Sequence, residues 1–83
     1  MAEAKTFHLS ISSVGETRFN DAAVSATFPG SAGELTILAN HEPLVTTLKD
    51  GVITVREPSG ATKEFKTENG ILECSSNSVV VLL

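Results

Sequence analysis

Apolar and polar residues alternate one by one along much of the chain. Phe7, Leu9 and Ile11 fall on one side of an extended segment and His8, Ser10 and Ser12 on the other, the period of two that a half-buried strand imposes. Val24, Ala26 and Phe28 repeat the pattern, and between Gly51 and Glu57 it predicts Ile53 and Val55 facing inward. Phe65 centres a short charged strand between Thr62 and Glu68, and Glu34-Leu35-Thr36-Ile37 reads as extended. From Asn77 to Leu83 the chain is almost continuously apolar, which predicts a strand covered on both faces or one that continues into a further element. No segment of ten or more residues carries a convincing helical spacing.

Turn dipeptides separate these runs at short intervals: Val14-Gly15, Pro29-Gly30, Asp50-Gly51, Ser59-Gly60 and Asn69-Gly70. Asn69-Gly70 suits the positive backbone dihedrals of a type I′ hairpin, and Asp50-Gly51 could do the same. Val, Ile and Thr together supply 21 residues, a composition that fits pleated surfaces better than helices. The expected fold is therefore all-β: one domain over residues 1–83, a small β-sandwich of two packed, mainly antiparallel sheets.

Charge and length narrow the function. Six basic against ten acidic residues give a net charge of −4, which opposes a phosphate-neutralising surface and hence nucleic-acid binding. The longest clearly apolar run, Val79 to Leu83, is far short of the roughly 20 residues a membrane helix needs. Met1 to Lys5 has no secretory-signal character. Cys74 is the single cysteine and has no internal disulfide partner, so a reducing, cytoplasmic setting is expected.

Several motifs invite chemistry and are better read as structure. Gly30-Ser31-Ala32-Gly33 could cradle an anion, but a P-loop needs a Lys, then Ser or Thr, then a helix; a tight inter-strand turn is expected instead. His41, in Asn40-His41-Glu42-Pro43, could act with Glu34 or Glu42 in a small hydrolase, yet a Ser-His-Asp arrangement needs three side chains that converge in space. His8, His41 and Cys74 match no structural zinc spacing, and no cofactor is expected. Glu64 and Glu68 read as a solvated face, and Cys74 as a small buried hydrophobe. A free-standing β-sandwich module for a small ligand or carbohydrate is the alternative, weakened because the chain has no Trp or Tyr to line a binding surface.

The stretch Gly33-Glu34-Leu35-Thr36-Ile37-Leu38-Ala39-Asn40-His41-Glu42-Pro43-Leu44-Val45-Thr46 resembles the N-terminal β-sandwich domain of the epsilon subunit of F-type ATP synthases. Phe7-His8-Leu9-Ser10-Ile11, Leu48-Lys49-Asp50-Gly51-Val52-Ile53, Gly70-Ile71-Leu72-Glu73 and Asn77-Ser78-Val79-Val80-Val81-Leu82 are similar to further landmarks of that family in the same order. The resemblance implies a non-catalytic rotor component. It would dock on the gamma subunit and the c-ring, peripheral to the membrane through the complex, on the cytoplasmic side of the energy-coupling membrane. It also implies a ring-facing end built from the loops around Gly-Glu-Leu and His-x-Pro-Leu. Glu34 and His41 then become candidate contacts with stalk and ring, and Gly33, Pro43 and Leu44 belong to the same motifs. Thr36 stands where the family usually has Gly, and Asn40 where Gly is common. Family members usually continue into a C-terminal helical hairpin that regulates ATP hydrolysis; no such hairpin is expected within these 83 residues.

Overall fold

A computed structural model describes residues 5–83 of the chain. Nine strands follow one another: β1 (Phe7–Ser13), β2 (Glu16–Ala23), β3 (Ser25–Gly30), β4 (Gly33–Leu38), β5 (Leu44–Leu48), β6 (Gly51–Arg56), β7 (Thr62–Thr67), β8 (Gly70–Ser75) and β9 (Ser78–Leu82). The described residues contain no helix.

The hydrogen-bonded order is β2-β1-β9-β8-β5-β3-β6-β7, with β4 on the other side of β3. Between β5 and β3 the ladder narrows to one residue pair, Gly30 opposite Leu48. It is reinforced by Ser31 N–H donating to Thr47 O (3.0 Å) and Lys49 N–H to Pro29 O (2.9 Å). There the sheet folds over itself, so the two expected sheets are two layers of one curled sheet: β2-β1-β9-β8-β5 against β4-β3-β6-β7. A second corner lies at Val24, whose N–H donates to Arg56 O (2.8 Å) as the chain passes from β2 to β3. All pairings are antiparallel except β1 with β9, which runs parallel from His8 opposite Ser78 to Ser12 opposite Leu82.

The alternation read from the sequence locates the core. Phe7, Leu9, Ile11, Ala26, Phe28, Ile37, Ile53, Val55, Leu72, Val79 and Val81 are buried between the layers; each fully buried large side chain contributes roughly 1.5–3 kcal/mol of transfer free energy. Val24 is only half-buried because it turns the corner. Edge strands β2 and β7 meet through Phe19 and Phe65, edge to face with centroids 5.9 Å apart, a geometry that suits the aromatic quadrupoles. Lys63 lies over the Phe19 ring at 5.6 Å and reaches Glu57 at 3.6 Å.

Three local readings change. β9 is central and paired on both edges, but only Val79 and Val81 point into the core; Val80 is half-buried and Leu82 exposed, because its other face lies on the outside of the layer. Asn69-Gly70 is not a hairpin: β7 pairs with β6 while β8 pairs with β5 and β9, so residues 68–69 carry the chain from one layer to the other. Asp50-Gly51 likewise joins β5 to β6 across layers. The two-residue hairpin with both dihedrals positive is Ser76-Asn77, at φ 50° and 59°, closing β8 onto β9 where Ser75 faces Ser78. This is the signature of a type I′ turn.

Candidate docking surfaces

Strand β4 carries the candidate residues at its two extremities. Gly33 and Glu34 open it and Leu38 ends it; Ala39-Asn40 then turns the chain toward His41, Pro43 and Leu44, the start of β5. At about 3.3 Å per residue, Glu34 and Leu38 are roughly 13 Å apart. Glu34 is therefore not brought together with His41, and the implied single end formed by both loops is replaced by two ends.

The first end is held by close backbone approach. Ser31-Ala32 forms the turn between β3 and β4, with Gly30 opposite Gly33 and Gly33 at φ 138°. A Cβ on Gly30 would sit 2.6 Å from Gly33 O and 2.7 Å from a Leu35 methyl, so only glycine fits. Ser31 Oγ and Thr47 Oγ1 share a 2.7 Å hydrogen bond, which ties the turn to β5. Glu34 projects from this braced tip, exposed and opposite Pro29. The pairings Gly30–Leu48, Leu48–Gly70, Ile71–Leu82 and Ser12–Leu82 place the β1–β2 hairpin, residues 49–50 and 68–69, and Leu83 at this same end. Between the layers there, a cleft of about 640 Å³ opens past Arg18, Lys66, Asp50, Glu68 and Asn69. Its two cations and two anions give it no net charge preference.

The second end is held by one side chain. Asn77 accepts at Oδ1 from Asn40 N–H (2.7 Å) and donates from Nδ2 to Thr6 O (2.9 Å), while its own carbonyl accepts from His8 N–H (3.2 Å). Asn40 adopts φ 63°, which asparagine tolerates. His41 is half-buried, and its Nδ1–H donates to Glu42 O at 2.7 Å; the carbonyl can only accept, so the proton sits on Nδ1. Pro43 is exposed, whereas Leu44 is half-buried against the core.

No hydrolytic constellation assembles around His41. Among the described residues neither a carboxylate nor a hydroxyl bonds its ring, and Glu34 lies at the opposite end of β4. No group of three or more His, Cys, Asp or Glu suited to a metal ion occurs among them either. Gly30-Ser31-Ala32-Gly33 is the tight turn expected of it. Cys74, opposite Leu44 on β8, is buried, and desolvation pushes its thiol above the ordinary value.

One feature was not foreseen from the sequence. Val45, Ile71 and Leu82, all substantially exposed, lie with half-buried Val80 on the outer face of β5, β8 and β9. This apolar strip begins beside Pro43 and is interrupted by Glu73. The signal was available in those strands: half of their out-facing positions, Val45, Ile71, Val80 and Leu82, are apolar, where one-sided burial would place polar residues.

Comparison with known proteins agrees with this architecture. A family model described as the ATP synthase Delta/Epsilon chain beta-sandwich domain matches residues 6–83. An ATP synthase epsilon chain of Polaromonas naphthalenivorans is 34% identical over 77 residues, covering 93% of this chain and 56% of the relative. One of Delftia acidovorans is 35% identical with the same coverage. The chain thus spans little more than half the length of these relatives. Among solved structures, a chain of the Euglena gracilis mitochondrial ATP synthase, in an assembly of OSCP, F1 and c-ring, superposes with TM-score 0.89 at 19% identity, over 99% of this chain and 52% of that one. A chain of the Tetrahymena thermophila central stalk and c-ring gives 0.79 at 13%, over 98% and 65%.

Proposed function

Because the chain belongs to the ATP synthase delta/epsilon-chain β-sandwich family, we propose that it is a non-catalytic body of the central stalk, gripped by the gamma subunit and the c-ring while proton flow drives ATP synthesis. The observation that carries this reading is the family match from residue 6 to residue 83. The geometry supports it physically. Torque has to pass between two partners through something stiff, and a close-packed pair of layers with short connections deforms little. The two ends of β4 offer two separate grips. His41, Pro43, Leu44 and Val45 form one, directed at gamma; Gly33 and Glu34, on the braced turn, form the other, directed at the ring's polar loops.

In this role the domain is peripheral, held at the cytoplasmic side of the energy-coupling membrane through its partners. Binding to the folded form alone also stabilises a small domain by mass action. Co-purification of this chain with its gamma subunit tests the proposal: a stable complex at micromolar concentration is expected, and its absence overturns the stalk assignment.

A further inference from the structure

The turn motif Asn69-Gly70 is left without the hairpin its sequence suggests, and its surroundings set it apart from every other asparagine. Asn20 accepts at Oδ1 from His8 Nε2 (2.6 Å), and Asn77 is held at both ends of its carboxamide. Asn40 is anchored through its backbone N–H and is followed by His41 rather than glycine. Asn69 is exposed, in the bend between the layers, and among the described residues nothing bonds its carboxamide; its backbone carbonyl alone is engaged, by Thr67 Oγ1 at 3.1 Å. The next residue has no side chain to hinder attack by its nitrogen.

We propose that Asn69 is a site of spontaneous deamidation, a covalent modification independent of the docking role. The Gly70 backbone nitrogen attacks Asn69 Cγ; a new N–C bond forms, the Cγ–Nδ2 bond breaks, and ammonia leaves with the proton lost by the attacking nitrogen. Water then opens the resulting succinimide at either carbonyl, giving aspartate or isoaspartate, and no electrons are exchanged. Either product adds a negative charge beside Glu68 at the cleft mouth. Isoaspartate also inserts a methylene into the main chain directly before Gly70, where there is no slack: a Cβ on that residue would meet Leu82 O at 2.6 Å. The isoaspartate form therefore loosens the start of β8, where Gly70 faces Leu48 and Ile71 faces Leu82.

The test is peptide mapping by mass spectrometry of the full chain incubated in mildly alkaline buffer, beside a free peptide spanning residues 66–73. Conversion at Asn69 is expected to run about tenfold ahead of Asn20, Asn40 and Asn77, a barrier difference of about 1.4 kcal/mol. Asn69→Gln should abolish the early conversion, and Asn69→Asp, which adds the charge without lengthening the chain, should melt above the isoaspartate fraction. Equal conversion at another asparagine overturns the proposal. So does an Asn69 that stays intact in the folded chain after the free peptide has converted.

Discussion

The two ends of β4 present loops of different length, two residues at 31–32 and five at 39–43, and are made rigid by different means. At the β3–β4 turn the constraint is steric: Gly30 lets Gly33 O and Leu35 come so close that nothing larger fits. At the β4–β5 loop the constraint is a hydrogen-bond hub, in which the Asn77 carboxamide links the loop to the residues before β1. A steric constraint fails all at once when atoms are added. A hub fails in proportion to the bonds removed, since each net hydrogen bond contributes roughly 1 kcal/mol. A body that must hold two partners in fixed relation can tolerate softness at either grip only at the expense of coupling.

The largest effect should follow from Gly30→Ala. The added methyl collides with backbone as well as with a side chain, so the turn must open, at a cost of about 3 kcal/mol by analogy with overpacked sites. Chemical denaturation would read this as a lower midpoint. An unchanged midpoint would mean that the tip yields and is not braced. Asn77→Ala comes next, at about 2 kcal/mol, because it removes two amide hydrogen bonds and places alanine at positive φ. Asn77→Gly separates the two contributions, since glycine tolerates the dihedral; it should recover part of the loss while the β4–β5 loop gains faster hydrogen exchange.

The contrast between the ends also explains what could be read in advance. Side-chain alternation is a local signal, so β1, β3, β6 and the core residues Leu9, Phe28, Ile53 and Val55 were legible without a structure. Turn identity was legible only where the chain returns beside itself, as at Val14-Gly15. Asn69-Gly70 has the right local chemistry, but its flanking strands are claimed by partners distant in sequence, β6 for one and β5 and β9 for the other. Long-range pairing overrides the dipeptide. The true type I′ turn, Ser76-Asn77, carries serine at a positive φ, which propensity alone does not favour. The motifs bearing Glu34 and His41 were found through family resemblance, whereas their separation follows from the length of β4, which loop motifs do not encode. Asn77 could not be singled out, because its hydrogen bonds reach 37 and 71 residues back along the chain.

Cys74 extends the comparison to the floor of the second end, where it lies opposite Leu44. Desolvation holds its thiol above the ordinary thiol range in the folded chain. Between the unfolded value and the higher folded one the unfolded state has lost a proton that the folded state keeps, so stability falls as pH rises through that window. The contribution is fully present below the unfolded value. Stability curves measured from neutral pH upward should decline more steeply for the natural chain than for Cys74→Ala, with a difference in slope of up to about 1.4 kcal/mol per pH unit within the window. Parallel curves would show that the thiol is not desolvated and that the floor beneath Leu44 is open to water.

The smallest effects on folding should come from the residues that matter most to the proposed function. Glu34→Gln removes an exposed charge and should change stability by less than about 0.5 kcal/mol. His41→Ala loses one exposed hydrogen bond and should cost about 1 kcal/mol or less. If the two ends are separate grips, their binding phenotypes divide: His41→Ala weakens association with gamma and leaves attachment to an isolated c-ring unchanged, while Glu34→Gln does the reverse. The Glu34 effect should also fade as salt is raised, because an exposed charge is screened beyond a Debye length of roughly 8–10 Å. Weakening of both associations by either variant would mean that β4 does not keep the two contacts apart. A rod of one strand, stiffened differently at its two extremities, would then be the wrong account of the two proposed grips.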